Sequence, residues 1–275
     1  MIDQFLAGDL SDVEEAVRKA AAAEILPRFR QLADDDIIQK NGPHDLVTVA
    51  DRLAEEHLTA SLTDLLPGSV VVGEEAVHAD PGVLGALGGD APVWIVDPVD
   101  GTRQFVHGED GFATLVALAH RGEVLASWTY APALDLMAIA LRGQGARLGG
   151  EPLRAGSPTP GEVLTVAISH YDFTTEAEQR ALAGLNTDGV APRPCGSAGL
   201  EYLNVARGRL DAIAFSWENP WDHAAGLLLV AEAGGASATL AGQPFRIAGG
   251  NALPFTAARD AATVRHILGL LAVAG

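Results

Sequence analysis

Two aspartates, Asp97 and Asp100, stand at the end of an apolar stretch of this sequence. The run Val93–Val96 is apolar and ends abruptly at Asp97, which predicts a buried strand. Buried carboxylates are rare unless they are paired or bound to a metal. The turn that follows, residues 98–102, keeps both carboxylates on the same side. We therefore predict a strand that delivers hard oxygen ligands to a cation.

Further oxygen ligands are predicted from other parts of the chain. A second β-type run, Ser69–Gly73, leads directly into Glu74 and Glu75, and Asp222 opens an apolar helix. The candidate ligands are the carboxylates of Glu74, Asp97, Asp100 and Asp222 and the backbone carbonyl of Val99. For Asp222 alone, spacing favours the alternative of a simple helix N-cap. Hard oxygen ligands select Mg²⁺ or Mn²⁺ over Zn²⁺, and the sequence has neither an HExxH motif nor a cysteine pair.

This ligand set indicates metal-assisted hydrolysis of a phosphate ester. Carboxylates shared by two such ions hold them roughly 3.5–4 Å apart, where one ion activates water and the other stabilises the leaving oxygen. Thr102 can orient that water together with Glu74 or Glu75, and the N–H groups of Gly101 and Thr102 can hold phosphate oxygens. The sequence contains no GxxxxGK[ST] and no GxSxG motif, which argues against a P-loop ATPase and a serine esterase.

Composition excludes several other classes of function. The 275 residues include 36 acidic and 18 basic side chains, for a net charge of −18, and no Lys/Arg cluster. Binding to nucleic acid or to anionic membranes is therefore not expected. Most of the acidity is interpreted as a solvated surface that keeps the protein soluble.

The cysteine count and the first residues indicate a cytoplasmic protein. Cys195 is the single cysteine, so an intramolecular disulfide is impossible and a reducing compartment is expected. The segment Met1–Ala20 is acidic and amphipathic and lacks the features of a signal peptide. Apolar stretches such as Ala224–Ala233 fall well short of the ~20 residues needed to span a bilayer.

The elements that must position these residues indicate an α/β protein. Helices are predicted over Ser11–Leu32 and over Arg52–Leu66, the latter begun by Thr48 or Asp51, and a mostly antiparallel sheet follows. Strands and helices alternate in the second half. There the glycine-rich segment 196–199 leads into a helix whose first N–H groups can face an anion, a weak signal by itself. We expect a single domain over 1–275, with halves of about 1–150 and 151–275.

The sequence resembles the inositol monophosphatase family between about Lys40 and Gly235. The matching motifs are Gly73-Glu74-Glu75, Asp97-Pro98-Val99-Asp100-Gly101-Thr102 with Phe105, Trp221-Asp222-His223-Ala224-Ala225-Gly226, and Glu232-Ala233-Gly234-Gly235. The resemblance implies an αβαβα sandwich of the inositol monophosphatase and fructose-bisphosphatase type. It also implies a homodimer that depends on Mg²⁺ and is sensitive to lithium.

The resemblance further implies a role for each matching residue. Glu74, Asp97 and the Val99 carbonyl would hold a first metal, and Asp97, Asp100 and Asp222 a second. Glu74 and Thr102 would activate water, and Asp51 would assist a weaker third metal, with Lys40 on a mobile loop before it. Gly101 and Thr102 would bind phosphate, while Gly196, Ser197 and Ala198 would line the substrate pocket.

Two departures from the family pattern leave the substrate open. Arg103 and Gln104 replace a pair that is commonly small and polar, and Phe215 takes the place of the glutamate that binds inositol hydroxyls. Glu218 is predicted to compensate from a different angle. Inositol-1-phosphate, histidinol phosphate, a sugar bisphosphate and 3′-phosphoadenosine nucleotides all remain candidates. The alternatives are a 3′(2′),5′-bisphosphate nucleotidase, in which Trp217 or Trp221 stacks a base, a fructose-1,6-bisphosphatase, and a non-catalytic homologue that has lost a ligand.

Overall fold

Apolar runs that alternate with turn residues form the strands of this chain, and segments with helical periodicity form its helices. The computed structural model describes residues 2–42, 45–156 and 161–273, with only the backbone of residues 34, 40–42, 45 and 273. The Lys40 side chain, predicted to lie on a mobile loop, is thus outside the described residues. The described helices are α1 (Ile2–Leu6), α2 (Ser11–Ala20), α3 (Val49–Leu65), α4 (Glu74–Ala79), α5 (Thr102–Val106), α6 (Glu176–Leu182), α7 (Ala198–Ala206), α8 (Pro220–Glu232) and α9 (Ala261–Val273).

The strands belong to three sheets within the described ranges. They are β1 (Ile37–Gly42), β2 (Asp45–Thr48), β3 (Val70–Gly73), β4 (Val93–Asp100), β5 (Ala113–His120), β6 (Glu123–Ala131), β7 (Leu136–Leu141), β8 (Gly145–Leu148), β9 (Glu151–Pro152), β10 (Leu164–Ile168), β11 (Val190–Pro194), β12 (Ala212–Phe215), β13 (Ala236–Thr239) and β14 (Phe255–Ala258). β1 and β2 form an antiparallel pair.

The larger sheet contains strands β3 to β9 in chain order. β3 and β4 are parallel, and the other neighbouring pairs are antiparallel. The smaller sheet has the order β11-β10-β12-β14-β13, with β10 parallel to β11 and β12, and β14 antiparallel to both of its neighbours. The mostly antiparallel sheet predicted for the first half matches the larger sheet, and the strands predicted to alternate with helices in the second half form the smaller, mixed sheet.

Strand residues alternate between core clusters, and this alternation builds the layers. On β4, Trp94 packs in a cluster with α2 and α3, whereas Ile95 faces the opposite cluster, which contains α7 and α8. On β12, Phe215 joins the same central cluster, and Ala214 packs in a third cluster with α6 and α9. Because side chains of a strand alternate between faces, the larger and the smaller sheet are each covered on both sides. The order is helix, sheet, helix, sheet, helix, which confirms the predicted αβαβα sandwich.

The first predicted helix is shorter than expected. α2 ends at Ala20 and continues as a wider π-helical turn over Ala21–Ile25, in which the Leu26 N–H donates to the Ala21 carbonyl at 2.9 Å. Pro27 follows, and its missing N–H prevents a regular helical bond at that position. Among the described residues, no helix combines the length and apolar composition required to cross a membrane.

Candidate active site

A bulge at the end of β4 places Asp97 and Asp100 on the same face of the larger sheet. Residues three apart on a regular strand point to opposite faces. Here Asp97 pairs with Leu115 and Asp100 with Ala113, so β4 has one residue more than β5 over this interval. Since Leu115 and Ala113 are two apart and both face the central cluster, the extra residue turns both carboxylates toward that side.

Asp222 reaches the same point from α8. One carboxylate oxygen from each of Asp97, Asp100 and Asp222 lies within 4.8 Å of the others, a grouping suited to a metal ion. Asn219 is the N-cap residue of α8, and Asp222 lies in its first turn. The alternative that Asp222 is the N-cap is therefore wrong.

Asp100 is held by the N-terminus of α7. Its carboxylate accepts hydrogen bonds from the Ser197 hydroxyl at 2.5 Å, the Ala198 N–H at 3.0 Å and the Gly199 N–H at 2.7 Å. A Cβ at Gly199 would lie 2.3 Å from a Leu115 methyl carbon, so glycine allows this close approach. Donors at a helix N-terminus stabilise a carboxylate and fix its orientation.

Asp222 is oriented by the loop that precedes α8. Its Oδ2 accepts hydrogen bonds from the Trp217 indole N–H at 2.9 Å and from the Asn219 side-chain amide at 3.2 Å. Trp217 is also joined to α8 through His223, since the His223 Nε2 lies 3.0 Å from the Trp217 carbonyl. Outer bonds of this kind determine how a carboxylate presents its remaining oxygen.

Burial raises the pKa values of all three carboxylates. Burial raises the pKa of Asp97 well above its usual value, and the charges of Glu74, Asp100 and Asp222 raise it further. Burial raises the pKa of Asp100 to about 6, against the opposing effect of its hydrogen bonds. Burial and the charge of Asp100 raise the pKa of Asp222 to about 7. Asp97 Oδ1 is buried and has no hydrogen-bond partner among the described residues. An oxygen-rich cluster with an unsatisfied buried carboxylate oxygen fits a divalent cation.

Thr102 and Asp51 support the turn after β4. The Thr102 hydroxyl lies 2.9 Å from the Val99 carbonyl and 3.4 Å from Asp51 Oδ1. Asp51 Oδ2 accepts from the Thr48 N–H at 2.8 Å and from its hydroxyl at 2.5 Å, forming a capping box on α3. Either Thr48 or Asp51 was predicted to begin this helix, and in the structure the N-cap residue is Thr48. Gly101 has φ +88°, a conformation that favours glycine.

Two adjoining cavities of about 140 and 350 Å³ open onto these groups. The smaller one is lined by eight residues that the sequence singled out, namely Glu74, Asp97, Val99, Asp100, Gly101, Thr102, Gly196 and Asp222. Ala198 lines the larger cavity only. The remaining described residues of the smaller cavity are Leu46, Arg103, Gln104, His170, Phe173 and Cys195. Of these, Arg103 and Gln104 were noted as departures, whereas no local pattern marks His170 or Phe173.

Three residues predicted to contact the substrate line neither of the two cavities. Phe215 is fully buried in the central cluster and lines neither cavity, because its position on β12 points it into the core. Glu218 instead accepts hydrogen bonds from the Gly250 and Asn251 N–H groups and the Asn251 amide, so its carboxylate binds a neighbouring loop. Ser197 is buried behind Asp100 and acts through that carboxylate.

Comparison with known proteins identifies the family. A family model described as "Inositol monophosphatase family" matches residues 9–266. The chain belongs to the inositol monophosphatase family. It is therefore a phosphoric monoester hydrolase from a metal-dependent family, and its acidic cluster is suited to hold a metal.

Individual relatives agree with this family assignment. The chain is 35% identical over 212 residues to an inositol-1-monophosphatase of Bacillus subtilis, covering 75% of this chain and 77% of the relative. It is 34% identical over 202 residues to a fructose-1,6-bisphosphatase/inositol-1-monophosphatase of Thermotoga maritima, covering 73% and 74%. The fold is similar to that of the extragenic suppressor protein suhB of Bartonella henselae, with a TM-score of 0.80, 26% identity, and coverage of 95% and 97%.

Proposed function

We propose that this protein is a Mg²⁺-dependent phosphomonoesterase that hydrolyses a small polyol, sugar or amino-alcohol phosphate. The observation that carries the proposal is the convergence of Asp97, Asp100 and Asp222 beside the Gly101–Thr102 turn at the base of a cavity. Carboxylate oxygens are the ligands that Mg²⁺ prefers, and Mn²⁺ is accepted by the same type of site.

The proposed site divides its residues between metal binding and catalysis. Glu74, Asp97 and the Val99 carbonyl would hold one ion, Asp97, Asp100 and Asp222 a second, and Asp51 would assist a third. Bound ions would lower the pKa of water and stabilise the leaving oxygen.

In the proposed reaction, Glu74 and Thr102 orient a water molecule, and Glu74 accepts its proton. The N–H groups of Gly101 and Thr102 bind phosphate oxygens. The water oxygen bonds to phosphorus as the ester P–O bond breaks, and the proton that Glu74 accepted passes through water to the departing alkoxide, so one phosphomonoester and one water yield an alcohol and inorganic phosphate.

The test is phosphate release from a panel of esters in the presence of Mg²⁺. The panel contains inositol-1-phosphate, histidinol phosphate, fructose-1,6-bisphosphate and 3′-phosphoadenosine 5′-phosphate. We expect Asp97→Asn to lower kcat/KM at least about 100-fold, the scale of losing one preorganised electrostatic group. Asp64→Asn, on the exposed side of α3, is the matched control and is expected to retain wild-type activity.

Two outcomes would contradict the proposal at different levels. No release from any ester would contradict the hydrolase function on small phosphates. Wild-type activity in Asp97→Asn would contradict the site while leaving the reaction intact. A non-catalytic homologue is disfavoured because it predicts a lost ligand, and every predicted ligand residue is present in the sequence.

A second candidate function is hydrolysis of a sugar bisphosphate. It is favoured by the Thermotoga maritima relative, whose name combines fructose-1,6-bisphosphatase with inositol-1-monophosphatase. Fructose-1,6-bisphosphate is in the panel for this reason.

We further propose that the protein is a cytoplasmic homodimer that is sensitive to lithium, with the whole chain folded as one domain. Homodimers, Mg²⁺ dependence and lithium sensitivity are features that the family resemblance implies. The single-domain proposal is supported by the central core cluster, which contains residues of both halves of the chain, such as Ile95 and Leu229.

A further inference from the structure

The larger cavity begins at the same carboxylates and extends away from the phosphate turn. It shares Asp100, His170, Phe173, Cys195, Gly196 and Asp222 with the smaller cavity, and Ala198, Trp217 and Asn219 complete its lining. A phosphate placed at Gly101 and Thr102 would have this adjoining space available for its alcohol. The larger cavity is therefore where the leaving group would be selected.

One wall of this cavity is a rigid aromatic surface. The Trp217 ring stacks on Phe215, with centroids 4.3 Å apart and an interplanar angle of 29°, and its N–H donates to Asp222. Phe215, which replaces a hydroxyl-binding glutamate, thus supports Trp217 from within the core. Because both the ring face and the N–H are held, Trp217 offers a preorganised surface to a ligand.

A second aromatic group comes from the turn Tyr171–Phe173. Phe173 lines both cavities and is 54% exposed, and His170, which precedes the turn, lines them as well. The Arg103 guanidinium forms an ion pair with Asp172 at 2.6 Å, which ties this turn to α5 beside the phosphate turn. The departure at Arg103 therefore has a structural role, since it fixes an apolar ring at the cavity mouth.

The polar groups of the larger cavity suit a ring better than a polyol. Apart from Asp100 and Asp222, the described residues that line it include no carboxylate. Glu218 and Ser197 are bonded elsewhere. Each buried hydroxyl of a polyol would need its own partner. Asn219 donates its amide to Asp222, and its Oδ1 accepts no hydrogen bond from the described residues.

We infer that the leaving alcohol carries a planar heteroaromatic ring, which packs on Trp217 and Phe173 and donates a ring N–H to Asn219 Oδ1. This inference rests on the proposed phosphomonoesterase function and specifies its substrate class. A small azole on an amino alcohol and the base of a nucleoside share this chemistry.

The test compares esters that differ only in the ring. 2-Phenylethyl phosphate and 2-cyclohexylethyl phosphate have the same linker and similar size, but only the first is aromatic. We expect kcat/KM to favour the aromatic ester about three- to tenfold, the scale of a specific aromatic contact. 2-(Imidazol-4-yl)ethyl phosphate adds the ring N–H and is expected to exceed the phenyl ester, and inositol-1-phosphate is expected to be the poorest of the four.

Two single-residue variants test whether Phe173 causes the preference for the aromatic ester. Phe173→Leu keeps an apolar side chain without an aromatic face, and we expect it to reduce the phenyl-to-cyclohexyl ratio toward one. Tyr171→Leu is the matched control, because Tyr171 is 60% exposed in the same turn and lines neither of the two cavities. Tyr171→Leu is expected to keep the wild-type ratio.

Two further measurements complete the test. The first distinguishes an azole from a nucleoside base as the ring, and the second distinguishes failure of the ring inference from failure of the proposed hydrolase function. Histidinol phosphate represents the azole class and adenosine 3′-phosphate the nucleoside class, and a preference for either over inositol-1-phosphate supports the inference. Binding of the phenyl and cyclohexyl esters, measured by calorimetry with Mg²⁺, reports ring preference even if no phosphate is released. Absence of hydrolysis alone would contradict only the proposed function. A ratio of one or below in both kinetics and binding, or a ratio unchanged in Phe173→Leu, would overturn the ring inference.

Discussion

Asp222 is oriented by residues that are not themselves members of the acidic cluster. Both of its described side-chain donors, Trp217 and Asn219, bond to Oδ2, and one of its carboxylate oxygens lies within 4.8 Å of oxygens of Asp97 and Asp100. Phe215 stands where the family pattern has a glutamate, and its ring stacks on Trp217, which donates to Asp222. A residue at a predicted substrate position thus supports a proposed metal ligand in the structure.

The first prediction concerns this hydrogen bond. Trp217→Phe retains an aromatic ring but removes the N–H donor to Asp222, and we expect divalent affinity to fall about tenfold or more, as for other groups that orient a metal ligand. The measurement is Mn²⁺ binding by calorimetry in the absence of substrate. Trp221→Phe, in the first turn of α8, is the control and is expected to stay within about twofold of wild type. Equal losses in both variants would indicate a general disturbance of the loop.

At the scale of elements, the contact between α7 and α8 controls where Asp100 and Asp222 meet. Asp100 rests on the first N–H groups of α7, and Asp222 projects from the first turn of α8. The two helices approach closely at Gly226, where a Cβ would lie 2.1 Å from a Tyr202 ring carbon. The helix contact therefore needs glycine at this position for steric reasons.

The second prediction compares two glycines in helix interiors. Gly226→Ala forces a clash with Tyr202, and we expect the free energy of unfolding to fall by about 1–3 kcal/mol. Gly269→Ala in α9 meets no atom within 4 Å, so alanine's higher helix propensity is expected to stabilise the protein by about 0.5–1 kcal/mol. Urea unfolding of both variants measures the difference. The same sign of change in the two variants would contradict the close approach at Gly226.

At the scale of the whole molecule, the fold assembles like charges that water would otherwise screen. Burial raises the pKa of Asp100 to about 6 and of Asp222 to about 7, from ordinary values near 3.8. A carboxyl group with a raised folded-state pKa contributes stability that is present below about 3.8 and lost as pH rises through its folded value. Metal-free protein therefore loses this contribution between about pH 4 and 7. A bound cation would replace the protons and restore it.

The third prediction follows from the loss of stability of the metal-free protein as pH rises. We expect the rise in Tm on adding Mg²⁺ to be small at pH 5.5 and larger at pH 7.5, because protons compete with the metal only below the raised pKa values. Burial lowers the pKa of His223 to about 3, so its own loss of stability occurs as pH falls. The loss of stability caused by His223 is the same in samples with and without metal, so it cancels when their Tm values are subtracted. KCl at matched ionic strength is the control, and a Tm gain independent of pH would contradict the prediction.

Local spacing in the sequence was sufficient for much of this protein. The apolar run before Asp97, the carboxylates at 97 and 100, and the Gly101–Thr102 turn are neighbours in the chain, so their chemistry was predictable without a fold. The motif around Asp222 supplied the distant partner through resemblance, and the order of elements indicated the layered α/β class. These features depend on short-range periodicity and on residue type, which the sequence states directly.

Only the tertiary structure decided which way the side chains point. The sequence predicted that a turn after Asp97 keeps Asp97 and Asp100 on one side, whereas in the structure β4 continues to Asp100 and a bulge, which depends on pairing with another strand, does so. Phe215 faces the core because of its register on β12, not because of its spacing from Asp222. His170 and Phe173 join the site through an ion pair between Arg103 and Asp172, residues 69 positions apart. Such orientations arise from long-range packing, so the reaction class was predictable from the sequence, whereas the shape of the proposed leaving-group cavity required the fold.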